Sequence, residues 1–165
     1  MSPKPIKYVK SGETKTPVDR SRAELERILL RYGCRRITID REFDEEQDET
    51  GVEIRFELYD HEKEIQVPVM FTINYRRIAR LLYAIPDGDE MPMTHWNQAK
   101  RVAWRNLVLW VDAALAAAQT GIKPLSECFL ADIQIPGPNG PTRLADALDK
   151  QLPGGFAGLL KPGQG

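Results

Sequence analysis

Residues 52–59, Val52-Glu53-Ile54-Arg55-Phe56-Glu57-Leu58-Tyr59, alternate apolar and polar side chains without a break. Successive side chains of a strand point to opposite sides, so Val52, Ile54, Phe56 and Leu58 share one face and Glu53, Arg55, Glu57 and Tyr59 the other. The flanking segments repeat the pattern. Upstream, Ile37, Ile39 and Phe43 alternate with Thr38, Asp40 and Glu42; downstream, Ile65, Val67, Val69, Phe71 and Ile73 alternate with Glu64, Gln66, Pro68, Met70 and Thr72. Three strands of this kind predict an antiparallel sheet covered on one side. An acidic loop ending at Thr50-Gly51 and a tight turn at Asp60 to Lys63 join them, which makes a meander the natural topology. Pro68 has no amide proton to give to a ladder, so the third strand belongs at an edge.

Helical periodicity surrounds the strands. Ser21-Arg22-Ala23-Glu24 has the spacing of a capping box, and Leu25, Ile28, Leu29 and Tyr32 follow at i, i+3, i+4 and i+7. Gly33 stands where a left-handed stop belongs. Ile78, Leu81, Leu82 and Ile85 predict a short helix before Pro86 that carries Arg76, Arg77 and Arg80. Trp96 through Gln119 is the strongest helical stretch, ending in an Ala-rich run before Gly121 and spanning about 36 Å at 1.5 Å per residue. Its middle, Leu107-Val108-Leu109-Trp110-Val111, is apolar all round and must be covered on most sides, by other helices or by a second copy. Pro124 to Ala131 predicts another short helix with Leu125 and Phe129 on one side, and Thr142 can cap a last one built on Leu144, Ala147 and Leu148. The fold class expected is α+β: a three- to four-stranded antiparallel meander packed on a long α-helix, with short flanking helices. Residues 1–17 read as an extended basic arm, 18–152 as a single domain and 153–165 as a flexible Gly/Pro-rich tail.

Composition excludes several classes. At 42% hydrophobic and 28% charged the chain is globular rather than disordered, and 165 residues suit one domain. No apolar run approaches a membrane span, and no N-terminal stretch resembles a signal peptide, so the expected setting is cytoplasmic, in a host cell. Cys34 and Cys128 read as reduced, buried thiols. The net charge of −1 hides a segregation: residues 1–39 hold ten Lys and Arg against four Asp and Glu, residues 40–64 three against twelve, and residues 65–123 seven against four.

Catalytic patterns are missing. His61 and His95 sit at element ends without the paired spacing of a zinc site. The acidic stretch Asp44-Glu45-Glu46-Gln47-Asp48-Glu49 lacks the alternation of a calcium loop and reads as a solvated hairpin loop. A nuclease would need Asp and Glu-x-Lys at strand ends, whereas Glu13-Thr14-Lys15 lies in the arm. Trp96, Trp104 and Trp110, eight and six residues apart, do not form one narrow stripe and read as packing residues. No cofactor, metal or catalytic residue is expected.

Several short pieces resemble a group of phage and prophage proteins: Lys4-Pro5-Ile6-Lys7-Tyr8, the helix ending in Tyr32-Gly33, the meander, Ala103-Trp104-Arg105, Gly121-Ile122, Phe129-Leu130 and the turn from Asn139 to Thr142. The resemblance implies a mobile-element origin and brings no activity or site residues. In architecture, a sheet followed by a long helix resembles the whirly and transcriptional-cofactor type of single-stranded DNA binder. That pattern has four strands, so the turn-dense stretch 133–141 would supply the fourth.

Two functions follow. A non-catalytic single-stranded nucleic-acid binder needs cations that track phosphates and π-faces on which bases stack. The candidates are Lys4, Lys7, Tyr8 and Lys10 in the arm, Tyr75, Arg76, Arg77 and Arg80 in the short helix, and Lys100, Arg101 and Arg105 on the long one. Asp40, Glu42, Glu53, Glu57 and Glu64 make the polar sheet face acidic, so a strand would lie on the arm and helices instead. The alternative is a protein-interaction module whose acidic segment 40–64 engages a host protein, with Leu107 to Val111 building a homodimer.

Overall fold

The period-two segments form β1 (Arg36–Phe43), β2 (Glu49–Asp60) and β3 (Ile65–Asn74) in the computed structural model, which describes residues 9–45, 49–86 and 88–152. They pair antiparallel in the order β1-β2-β3. Ile54 stands between Ile39 and Phe71, and Phe56 between Ile37 and Val69, so the central apolar positions share one face, whereas Phe43, beyond a register shift after Glu42, and Ile65 at the start of β3 are exposed. Val52, Ile54, Phe56 and Leu58 are all at most 2% exposed. Pro68 sits on the outer strand, opposite Glu57. Gly51 is required by a close approach: a Cβ there would lie 2.6 Å from the Ile73 carbonyl oxygen and 2.8 Å from Glu42 Oε2.

The β2–β3 turn is organised by one carboxylate. Asp60, 2% exposed, accepts the Glu62 and Lys63 amides at 3.1 Å through Oδ1, and the Ser126 amide at 3.3 Å through Oδ2. Burial alone would push this carboxyl up, but the three amides and the Ser126 hydroxyl outweigh it and hold it below the usual carboxylate range. Lys63 Nζ closes the arrangement by donating to Ser126 Oγ at 2.7 Å.

The helices α1 (Val18–Arg31), α2 (Tyr75–Tyr83) and α3 (Met93–Gln119) supply the other side of the core. Leu25 and Leu29 of α1 are 0% exposed, and full burial of such a side chain contributes about 1.5–3 kcal/mol. Trp104, Leu107, Val108, Val111 and Leu115 of α3 join them and the strand residues in one cluster. The expected capping box does not form. α1 begins after Pro17, four residues earlier than the pattern suggested, which places Ser21 inside the helix with its amide on the Pro17 carbonyl at 3.2 Å and its hydroxyl unpaired. Glu24 turns away to Arg105 of α3, at 2.7 Å. Gly33, at φ +79°, ends the helix as expected.

Two inward faces differ from the periodic reading. In α2 the buried residues are Tyr75 and Ala79, whereas Leu81 is 41% exposed. Asn74 caps this helix, accepting the Arg77 amide at 3.1 Å. In α3 the chain itself buries Leu107, Val108 and Val111 and leaves Leu109 half-buried and Trp110 exposed against Phe71 and Phe129.

After the single turn α4 (Leu125–Cys128) and a 3-10 turn at Leu130–Asp132, the stretch expected to extend the sheet makes its own ribbon, β4 (Gln134–Ile135) with β5 (Thr142–Arg143). One isolated bridge, Val69 to Ile133, ties it to β3. The ribbon partly covers the sheet face expected to be wet: Gln134 lines a hollow with Arg36, Thr38, Arg55 and Glu57, and Met70 on that face is 5% exposed. α5 (Leu144–Gln151) completes the described chain. Thr142 belongs to β5 and does not cap it. Arg143 instead grips Asp146 at 2.8 and 2.9 Å and Asp132 at 3.1 Å. Residues 153–165 lie outside the described residues. Cys34 is buried, Cys128 half-buried, and neither forms a disulfide. Among the described residues no helix is long and apolar enough to cross a membrane.

Candidate nucleic-acid interface

The described part of the arm runs beside α2 and α3. Gln98 Nε2 on α3 donates to the Gly12 carbonyl at 2.8 Å and the Thr14 carbonyl at 3.1 Å. Gly12 also lies close to Leu82 of α2: a Cβ placed on it would be 3.7 Å from Leu82 Cδ2. The arm, with Lys10 exposed, thus lies against the C-terminal end of α2, whose N-terminal turn carries exposed Arg76 and Arg77. The Arg76 guanidinium lies over the buried Trp96 ring, 5.7 Å from its centroid, which fixes the side chain without neutralising it. Arg80 is half-buried on the same helix. Lys4, Lys7 and Tyr8 lie outside the described residues.

Four of the other predicted contacts are committed to the protein's own interior or to neighbouring side chains. Tyr75 is a correction. It is 0% exposed, its hydroxyl accepts the Trp104 indole N–H at 2.9 Å and donates to Glu49 Oε1 at 3.2 Å, and its ring cannot meet a base. Burial first, and the Glu49 charge after it, push its phenol up despite the Trp104 hydrogen bond. Lys100, half-buried, sits 3.9 Å from Glu49 Oε2 and 5.8 Å from the centroid of the Tyr75 ring. Arg101 donates to Gln98 Oε1 at 3.0 Å, which orients the amide that holds the arm. Arg105 is paired with Glu24. Lys100, Arg101 and Arg105 share one reason: α3 packs against both α1 and α2, so its polar side chains find protein partners before they find solvent.

An aromatic surface absent from the sequence reading stands at the end of α2. Tyr83, 38% exposed, stacks on His95 of α3 with ring centroids 3.7 Å apart and planes 10° from parallel. It directly follows Leu82, the residue beside Gly12 of the arm. The twelve-residue spacing of Tyr83 and His95 across the α2–α3 connection carries no periodic signal, so sequence alone had no means of pairing them.

The acidic sheet face is less charged than its composition. Glu57 pairs with Arg36 at 3.6 Å and Glu53 with Arg55, while Asp40, Glu42 and Glu64 remain exposed. Three exposed arginines of α1, at positions 20, 27 and 31, make no hydrogen bond or ion pair among the described residues. They belong to the same basic segment 1–39 whose charge is evident in sequence, and their spacing of seven and four residues is a helical one. Compared with known proteins, the chain matches no protein-family profile, no curated protein and no solved structure.

Proposed function

We propose that the chain is a non-catalytic accessory protein, of the phage or prophage kind it resembles, that binds single-stranded nucleic acid along the arm, α2 and the first half of α3. The observation that carries this reading is the docking of the arm by Gln98, because it brings Lys10 beside the helix that bears Arg76 and Arg77. Phosphates would be met by those three cations, and Tyr83, backed by His95, would offer the stacking surface that buried Tyr75 cannot. A base stacked on an exposed aromatic contributes about 1–3 kcal/mol and requires no sequence preference. The acidic sheet face lies on a different layer, so it would repel a strand away from the sheet and toward the helices. A homodimer belongs to the same proposal. Trp110 is 41% exposed, and it is the part of the α3 girdle that most needs a second copy to cover it.

Fluorescence anisotropy with labelled single-stranded and duplex oligonucleotides, at low and physiological salt, tests the reading. Micromolar or tighter binding of the single strand, weakening steeply with salt, is expected. Absence of binding at low salt refutes it. Charge reversal at Arg76 and Arg77 that leaves affinity intact would remove these residues from the site.

A further inference from the structure

α1 and α3 pack side by side, and along their solvent edge they leave a groove of about 450 Å³. Arg20, Arg27 and Arg31 line it from α1, at separations of seven and four residues that put all three within about 40° of one another around the helix. Leu25 and Leu29 face the core from the other side of the same helix, so the arginine stripe is turned outward by the burial that fixes α1 in place. Ile28 contributes apolar floor. Two carboxylates also reach the groove. Glu24 is neutralised by Arg105 at 2.7 Å, which leaves Asp112 alone against three guanidiniums with no protein partner among the described residues.

We propose that this groove is a second phosphate-binding surface, one that takes the sugar-phosphate backbone of a nucleic-acid strand. Three features select that ligand. Arg20 and Arg31 are eleven residues apart, about 16 Å along the helix, too spread for a single phosphate and long enough to meet several successive phosphates of one strand. Guanidinium forks match phosphate oxygens geometrically and stay charged in any accessible pH range. No aromatic or amide side chain lines the groove, so it offers no ring for stacking and no amide for a base edge, and its guanidiniums suit the backbone. The groove is also continuous with the surface assigned above. Gln98, which holds the arm, Arg101, Arg105 and Asp112 follow one stripe of α3, about 21 Å from first to last, and the arm itself runs through Pro17 directly into α1. A strand leaving the arm and α2 would therefore pass along α3 into the arginine groove.

This inference rests on the nucleic-acid reading and extends its footprint. The test titrates labelled thirty-nucleotide oligo(dT) with the full chain, comparing wild type, the pair Arg27→Glu and Arg31→Glu, the conservative pair Arg27→Lys and Arg31→Lys, and a charge-matched control, Lys123→Glu with Lys150→Glu. All altered side chains are exposed, and circular dichroism checks that each variant is folded. The groove reversal is expected to weaken binding at least tenfold at 0.1 M salt. The log-log salt slope should shrink by about 1.4, the value for two lost single-strand phosphate contacts. The lysine pair and the control should stay within about threefold of wild type. A groove reversal that binds like wild type, while Arg76→Glu with Arg77→Glu loses affinity, overturns the groove and leaves the proposed function standing. A control that loses as much as the groove pair also overturns the groove, since net charge then explains the effect. Failure of wild type to bind at any salt overturns both.

Discussion

Replacing Tyr75 by Phe separates the structural account of that residue from the base-stacking role its sequence neighbourhood suggested. The ring stays in place, so packing is retained and only the hydroxyl is lost. Trp104, 1% exposed, then keeps an indole N–H with no acceptor, and Glu49 loses a donor. An unpaired buried polar group of this kind costs about 1–3 kcal/mol. With a urea dependence of about 2 kcal/mol per molar, the unfolding midpoint should fall by roughly 0.5–1.5 M at constant slope. Trp104→Phe should cost less in the Tyr75→Phe background than alone, as for any pair in direct contact. The phenol is raised in the folded state relative to about 10 in the unfolded chain. Its contribution is thus complete below pH of about 10 and declines above it, and Tyr75→Phe should remove that part of the alkaline loss. Affinity for single strands should be unchanged. A midpoint within about 0.2 M of wild type would refute the hydrogen-bond argument, and lost affinity at an intact midpoint would return Tyr75 to the binding surface.

Asp60→Asn should lower stability at neutral pH by about 1–3 kcal/mol, because the turn loses a charged acceptor for three amides. The carboxyl is depressed, so its contribution is present above the ordinary carboxylate range and lost as pH falls through the lowered folded value; urea midpoints between pH 2 and 6 should fall for wild type and flatten for the variant. Tyr83→Ala should reduce single-strand affinity by about 1–3 kcal/mol while leaving the salt slope unchanged, since a stacking contact releases no counterions; an altered slope would contradict the assignment. Gly51→Ala should cost at least about 1 kcal/mol, because its methyl meets the Ile73 carbonyl and a side chain cannot yield for a backbone atom; calorimetry reads it. Sedimentation velocity should report a dimer that Trp110→Ala dissociates, and a monomeric wild type would end the dimer proposal.

What sequence revealed divides along physical lines. Period-two alternation found all three strands because one buried face imposes it, and Val52, Ile54, Phe56 and Leu58 left no room for a different register. α1 was recognised by Leu25, Ile28 and Leu29, yet its start was misplaced, since Ser21 and Glu24 have capping chemistry that burial and Arg105 redirect. The site was harder to read. A list of cations does not say which are spent on partners, and Lys100, Arg101 and Arg105 all are. Tyr75 stood beside Arg76 and Arg77 in sequence, but a residue at a strand-to-helix junction can point either way, and here it enters the core. Arg20, Arg27 and Arg31 had a readable spacing on a correctly expected helix. A net charge summed over a segment does not show which cations share a helix face, and only the face distinguishes these three from the arginines that pair inward.

The C-terminal ribbon and α5 hang on slender attachments: two-residue strands, one bridge to β3, and a helix with no buried residue. Within the unit Arg143 clasps Asp132 and Asp146 at once, and the Leu144 amide donates to the Ile133 carbonyl at 2.8 Å. Such a unit is expected to open on its own, well before the meander melts. Amide exchange should therefore proceed in two tiers, with the protons of residues 144–151 replaced long before those of β2. On that expectation the ribbon and α5 form a foldon that detaches and redocks while the scaffold holding the arm and the arginine groove stays whole.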